Sequence, residues 1–235
     1  MSPTPRFLTL PTIVLLIGLA APGCDNSPSG PAYDPDIPSD WAAAVTNPFL
    51  PWTPGATWTY SGAEDVTIEV QLATRVVNGV TAVEVRDRVF EAGELVEDTF
   101  DWYAQDLDGN VWYLGEDTKE YVSGVVVSTE GSWTWGTDGA LPGIVMWGDP
   151  AAHLNQTYRQ EYLKGEAEDF GKVIATGLSV TVPFGSYTGC VRTLDTSALD
   201  PAAREHKTYC PGVGLVLESE EDGSGAVELT DFTTP

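Results

Sequence analysis

The chain has 235 residues, 42% of them hydrophobic and 10% aromatic, enough for one sizeable core or two modest ones. Asp and Glu number 35 against 11 Lys and Arg, a formal charge of −24. That balance excludes nucleic acid as a partner, because a phosphate-backbone binder needs a basic face, and it excludes attraction to anionic lipid through a basic patch. Eight Trp and an ordinary apolar content exclude wholesale disorder.

Residues 1–23 read as a lipoprotein signal peptide. Arg6 supplies a thin positive start, and the apolar run Phe7–Ala20 is too short, and too interrupted by Pro11, to span a bilayer comfortably. It ends in Ala21-Pro22-Gly23-Cys24, which resembles a bacterial lipobox, in which small residues precede a Cys that becomes the diacylated N-terminus. A plain signal peptide cut nearby is the alternative, and it leaves Cys24 incidental. Two acyl chains anchor stably where one does not, so the lipobox reading makes the membrane a partner through the anchor. It places the chain in the cell envelope, on the outer face of the cytoplasmic membrane or on the outer membrane, facing an oxidising compartment. Residues 24–40 carry Pro28, Pro31, Pro35 and Pro38 among Ser, Gly and Asp, which predicts a lipidated Cys followed by a disordered tether. Residues 41–235 are then a single β domain. With Cys24 taken by lipid, Cys190 and Cys210 remain; a disulfide is the default in such a compartment, a buried free pair or metal ligands the alternative.

The domain is written in period two. Val66, Ile68, Val70 and Leu72 alternate with polar residues, Asn78-Gly79 follows as a hairpin turn, and Val83, Val85 and Val89 answer. A two-residue turn sets Val85 opposite Leu72, Val89 opposite Ile68 and Arg88 opposite Glu69. Ala92-Gly93 reads as the next turn, placing Val96, Phe100 and Trp102 against Val89, Val85 and Val83, with Glu97 across from Arg88. That register leaves Asp87 and Asp98 facing each other on the apolar side. Further turns are expected at Asp106–Asn110, Ser123-Gly124, Lys164-Gly165 and Pro183–Ser186, with an irregular crossing over 129–150. Helix signals are short: Ser39 or Asp40 before Trp41–Val45, Asp149-Pro150 and Asp200-Pro201. A hairpin centred on the last of these puts Cys190 across from Cys210. The fold class is all-β, an antiparallel meander forming a partly closed barrel or strongly curved half-barrel, with one or two short helices.

Several segments, among them DTFDWYAQDLDGNVWYLGEDTKEY (Asp98–Tyr121), VTVPFGSYTGC (Val180–Cys190) and EHKTYCPGVGLVLE (Glu205–Glu218), resemble a family of uncharacterised bacterial and archaeal secreted lipoproteins. The resemblance implies an envelope location and a β fold, and no chemistry.

Candidate site residues are few. Asp87 and Asp98, as two carboxylates in one apolar surrounding, form a candidate acid/base pair, because they cannot both ionise cheaply; the favoured alternative is that both sit in water at the barrel mouth, or that a one-residue bulge turns one of them outward. Glu161 and His206 are the remaining catalytic candidates; with His153 and His206 the only histidines, a three-histidine metal site is impossible. Trp102, Tyr103, Trp112 and Tyr158 are candidate ligand-binding aromatics, with core packing as the competing account. Asp106, Asp108 and Asn110 are a candidate calcium turn, although Asp and Asn equally suit tight turns. No nucleophile elbow, phosphate loop or dinucleotide fingerprint is present, no cofactor is expected, and a non-enzyme is favoured. The leading expectation is a lipid-anchored envelope domain binding a small apolar ligand, lipid or partner protein. The alternative is a carboxylate-based hydrolase or carbohydrate-binding protein acting on envelope glycans.

Overall fold

A computed structural model describes residues 33–235. The signal peptide, Cys24 and the first part of the expected tether lie outside the described residues. The described chain is almost entirely antiparallel strand. Chain order gives β1 (Thr57–Gly62), β2 (Asp65–Val77), β3 (Val80–Glu91), β4 (Glu94–Gln105) and β5 (Val111–Val122). Then come β6 (Val125–Ser128), β7 (Trp133–Thr134), β8 (Leu141–Met146), β9 (Thr157–Arg159) and β10 (Glu161–Tyr162). The last group is β11 (Asp169–Val182), β12 (Gly185–Ser197), β13 (Arg204–Cys210), β14 (Gly214–Glu220) and β15 (Val227–Thr233).

These strands form one sheet in the order β10-β8-β5-β4-β3-β2-β1-β15-β14-β13-β12-β11-β9, with β6 and β7 also on β5. The sheet is strongly curved and is not closed into a barrel. Its two ends are adjacent pieces of one segment: residues 157–159 pair with β11, and 161–162 pair with β8. The segment changes partner at Gln160, whose amide donates to Asp169 O at 3.0 Å. Gly143 of β8 permits the crossing, because a Cβ there would sit 2.4 Å from the Gln160 backbone.

The turns fall where the sequence puts them, with Asn78 (φ 46°) and Gly79 (φ 86°) at the left-handed positions of the first hairpin. Within β2–β4, two shifts change the expected register. Val77 to Thr74 pair with Val80 to Val83 as expected, but the register then slips, so Val85 meets Val70, Val89 meets Val66, and Arg88 meets Thr67. Because the slip is of two residues, the apolar face is kept, while Leu72 is left in solvent at 83% exposure. Between Val89 and Phe90 the shift is of one residue, and that inverts everything beyond it on β4. Glu97, Thr99, Asp101 and Tyr103 face inward, and Asp98, Phe100 and Trp102 face outward.

Inside the sheet lies a core that includes Trp58, Tyr60, Ile68, Val85, Val89, Tyr103 and Tyr113. A second, smaller cluster covers the opposite face at β3–β5, where Val80, Ala82, Trp102, Trp112 and Leu114 pack with Trp41 and Trp135. Cys190 and Cys210 are joined across β12 and β13, with Cα atoms 4.2 Å apart, and the register expected from the intervening hairpin holds (Val191 opposite Tyr209). Of the three helix signals only one forms, as a 3-10 turn over Pro150–His153 capped by Asp149. Trp41 instead bridges to Asp106, its ring 6.1 Å from that of Trp112, and Gln105 Oε1 takes the amides of Thr46 and Asn47; these tertiary contacts outcompete a local helix. At Asp200 the side chain caps a simple turn through Ala202 N.

Candidate functional site

Two regions concentrate polar chemistry. The first is the interior. Lys207 on β13 is 1% exposed, and its Nζ lies 3.6 Å from Glu218, 3.8 Å from Glu205 and 3.9 Å from Asp195. Burial opposes its charge, but Glu218, Glu205, Asp195 and Asp169 together hold the ammonium above the usual lysine range. Asp101 reaches the same cluster from β4 and accepts from Tyr113 Oη at 2.5 Å. Burial pushes Asp101, Asp169 and Glu218 up to about 7, and Lys207 pulls against each of those shifts. Asp87 is raised well above the carboxylate range by burial and then by Asp101, and both its oxygens are buried without a hydrogen-bond partner. Beside it the interior leaves a void of only about 10 Å³, walled by Asp87, Glu218, Tyr60 and neighbouring aliphatic residues. That is room for a single water and excludes an organic ligand.

The second region is an external cleft of about 970 Å³. One wall is the stretch Tyr33–Asp40, the last part of the expected tether, which lies against the domain in irregular conformation. Tyr33 donates to Pro142 O at 2.9 Å, and burial pushes its phenol up to about 12 against the opposing pull of Arg159. The floor is Trp112, Ile144 and Trp147, and His153 stacks flat on Trp147 at 3.7 Å between ring centroids. Thr157, Tyr158, Arg159 and Phe170 complete the lining together with the Asp106–Asn110 turn. The Arg159 guanidinium sits over the rings of Phe170 (4.3 Å) and Tyr162 (4.6 Å), with Glu168 at 3.5 Å.

The candidates separate cleanly. Asp87 is interior, whereas the one-residue bulge carries Asp98 outward, where Arg86 grips it with two bonds of 2.7 and 2.8 Å. They are not a facing pair. Glu161 is buried, accepts from Trp133 Nε1 at 2.7 Å, and is raised by burial and then by Asp169. His206 lies opposite Leu194 and Ser219, on the face away from Lys207, its pKa lowered by burial and by Arg192. Asp87, Asp98, Glu161 and His206 therefore share no pocket.

Tyr103 stacks on Tyr113 in the main core and Trp102 packs in the outer cluster, the reverse of simple alternation from the turn. Trp112 and Tyr158 both line the cleft, although Tyr158 lays its ring across Gly171, where any Cβ would lie 2.6 Å from the ring. Asp106 is fully occupied as a turn cap. Its oxygens accept from Asp108 N, Asn110 N, Asn110 Nδ2 and Trp112 Nε1, at 2.8 to 3.0 Å. Among the described residues no cluster of three metal-ligating side chains is present. Sequence reasoning missed Lys207, Asp101 and the cleft wall Tyr33–Asp40; the only signal for Lys207 was a lysine in period with the inward Glu205 and Tyr209.

Fold and site together define a curved antiparallel β domain with a filled, acidic interior and an aromatic-floored cleft outside it. No known family profile matches the chain, and no curated protein does. Among solved structures, a candidate lipoprotein from Parabacteroides distasonis ATCC 8503 is similar at 13% identity, covering 79% of this chain and 98% of that one with a TM-score of 0.34. A likeness that distant carries no argument about function.

Proposed function

We propose that the protein is a non-catalytic domain, tethered to the cell envelope through Cys24, that binds a small molecule in the external cleft. The observation that carries the reading is the contrast in space: about 970 Å³ outside, floored by Trp112 and Trp147, against about 10 Å³ inside. Ligand sites of several hundred Å³ with aromatic floors and a few polar groups are the usual form of small-molecule pocket. The binding of an apolar ligand or lipid, expected from the sequence, therefore belongs to the outside of the sheet. The hydrolase alternative finds no support in the placement of its two carboxylates, one entombed and the other held by Arg86.

The anchor is tested by metabolic labelling with palmitate, which Cys24→Ser abolishes. The cleft is tested with the neutral fluorescent probe N-phenyl-1-naphthylamine. Saturable binding at one site, weakened at least fivefold in Trp147→Ala with the thermal unfolding midpoint retained, supports the reading. No saturable binding to the wild type, or unchanged binding in Trp147→Ala, removes it.

A further inference from the structure

We infer that the stretch Asp34–Asp40 is a hinged strap that swings out to admit ligand to the cleft and returns over it; this rests on the cleft being the ligand site. The stretch is held at its two ends. At one, Tyr33 Oη donates to Pro142 O at 2.9 Å, and its ring meets that of Tyr162 edge-on at 5.7 Å. At the other, Trp41 bridges to Asp106, Ala42 N donates to Gln105 O at 2.8 Å, and the Trp41 ring packs against Trp112 and Trp135. Between these pins, among the described residues, no hydrogen bond or ion pair ties 34–40 to the body of the domain. The one bond in the stretch is local, from Ser39 Oγ to Asp40 Oδ2.

The two ends differ in strength. The Trp41 end combines backbone pairing with two indole contacts, whereas the Tyr33 end hangs on one side chain. Pro35 and Pro38 offer no N–H and fix their own φ, so the stretch is stiff without being bonded and moves as a lever about the Trp41 end. Segments with few buried contacts and no backbone ladder are the ones that open at least cost. Pro35, Ile37 and Pro38 are half-buried, whereas Asp34, Asp36, Ser39 and Asp40 are exposed, so the covered side of the strap is apolar. A returning strap therefore lays apolar surface on the ligand, with Ile144 and Phe170 also in the lining, and the molecule it covers is uncharged and apolar.

Stopped-flow mixing with N-phenyl-1-naphthylamine separates a hinged strap from a fixed wall, because entry and exit past a strap both wait on its swing. Tyr33→Phe deletes only the hydroxyl that holds the free end, and one hydrogen bond is worth about two- to tenfold in an equilibrium. The association and dissociation rate constants are both expected to rise at least about twofold in Tyr33→Phe, and further in Tyr33→Ala, with the thermal unfolding midpoint of Tyr33→Phe retained. If the probe binds the wild type but the association rate constant is unchanged in both variants, whatever dissociation does, the wall is fixed. The inference is then overturned and the cleft remains a ligand site. If the probe does not bind the wild type, both fall together.

Discussion

The interior and the external cleft are both acidic, yet water reaches only one of them. In the cleft, Asp36, Asp40 and Asp108 stand in solvent, where a carboxylate costs little. In the interior, Asp87, Asp101, Asp169, Asp195 and Glu218 crowd around one lysine and the core tyrosines, and the void beside Asp87 and Glu218 is only about 10 Å³. The same residue types thus stand in solvent in one place and make a proton-loaded core in the other. Burial, and not composition, decides which.

Removing the interior cation gives the largest expected effect. Lys207→Met leaves Asp195, Glu205 and Glu218 without their shared partner, and breaking a buried ion pair from one side costs about 3–5 kcal/mol. Urea unfolding at pH 7.5 measures it, and the loss should be smaller at pH 5, where the orphaned carboxyls are protonated. An equal loss at both pH values would deny that the interior acids titrate.

The wild type itself sharpens the contrast. Asp101, Asp169 and Glu218 titrate at about 7 when folded, far above the ordinary carboxylate range of an unfolded chain. Between roughly pH 4 and pH 7 the folded state holds protons that the unfolded state has released. The stability contributed by these groups is therefore complete below about pH 4 and declines as pH rises through 7, by about 1.4 kcal/mol per pH unit for each such proton. Thermal melts should show a midpoint higher at pH 5 than at pH 8.5. The cleft triple Asp36→Asn/Asp40→Asn/Asp108→Asn should leave that slope unchanged.

Asp87→Asn makes a subtler probe. Burial raises Asp87 well above the carboxylate range, so the folded state keeps a proton that the unfolded chain releases above about pH 4, and an always-neutral replacement should stabilise the fold at pH 8.5 by at least about 1–2 kcal/mol more than at pH 5. The smallest effect is expected at Asp98, whose pair with Arg86 lies on the outer face. Asp98→Asn should cost no more than about 1 kcal/mol in urea unfolding, because partly exposed pairs contribute little.

Alternation and turn chemistry made much of this legible in the sequence. The hairpins at 78–79 and 123–124 and the Cys190–Cys210 register follow from local signals that tertiary packing then reinforces. A one-residue bulge is the sequence's alternative to a facing Asp87/Asp98 pair, but no local signal fixes its place at Val89/Phe90. It is selected because it sends Asp98 out to Arg86 and brings Tyr103 in to stack on Tyr113, gains that exist only once three strands are assembled. One extra residue there exchanged the roles of Asp98 and Asp101 and of Trp102 and Tyr103. The cleft was less legible still: its walls come from residues 33–40, 106–112, 144–147 and 157–170, which no spacing rule connects. Trp112 and Tyr158 were identifiable as aromatics worth attention, but nothing local told that they share a cleft.

The central claim is that ligand space lies outside the curved sheet and not within it. Amide and indole NMR shifts, followed while N-phenyl-1-naphthylamine is added, address it directly. Changes should gather at residues 33–40 and 106–112, at the indole of Trp147 and around Arg159 and Phe170. Shifts centred on Tyr60, Asp87 and Glu218, with the cleft unmoved, would place the ligand inside and contradict the account.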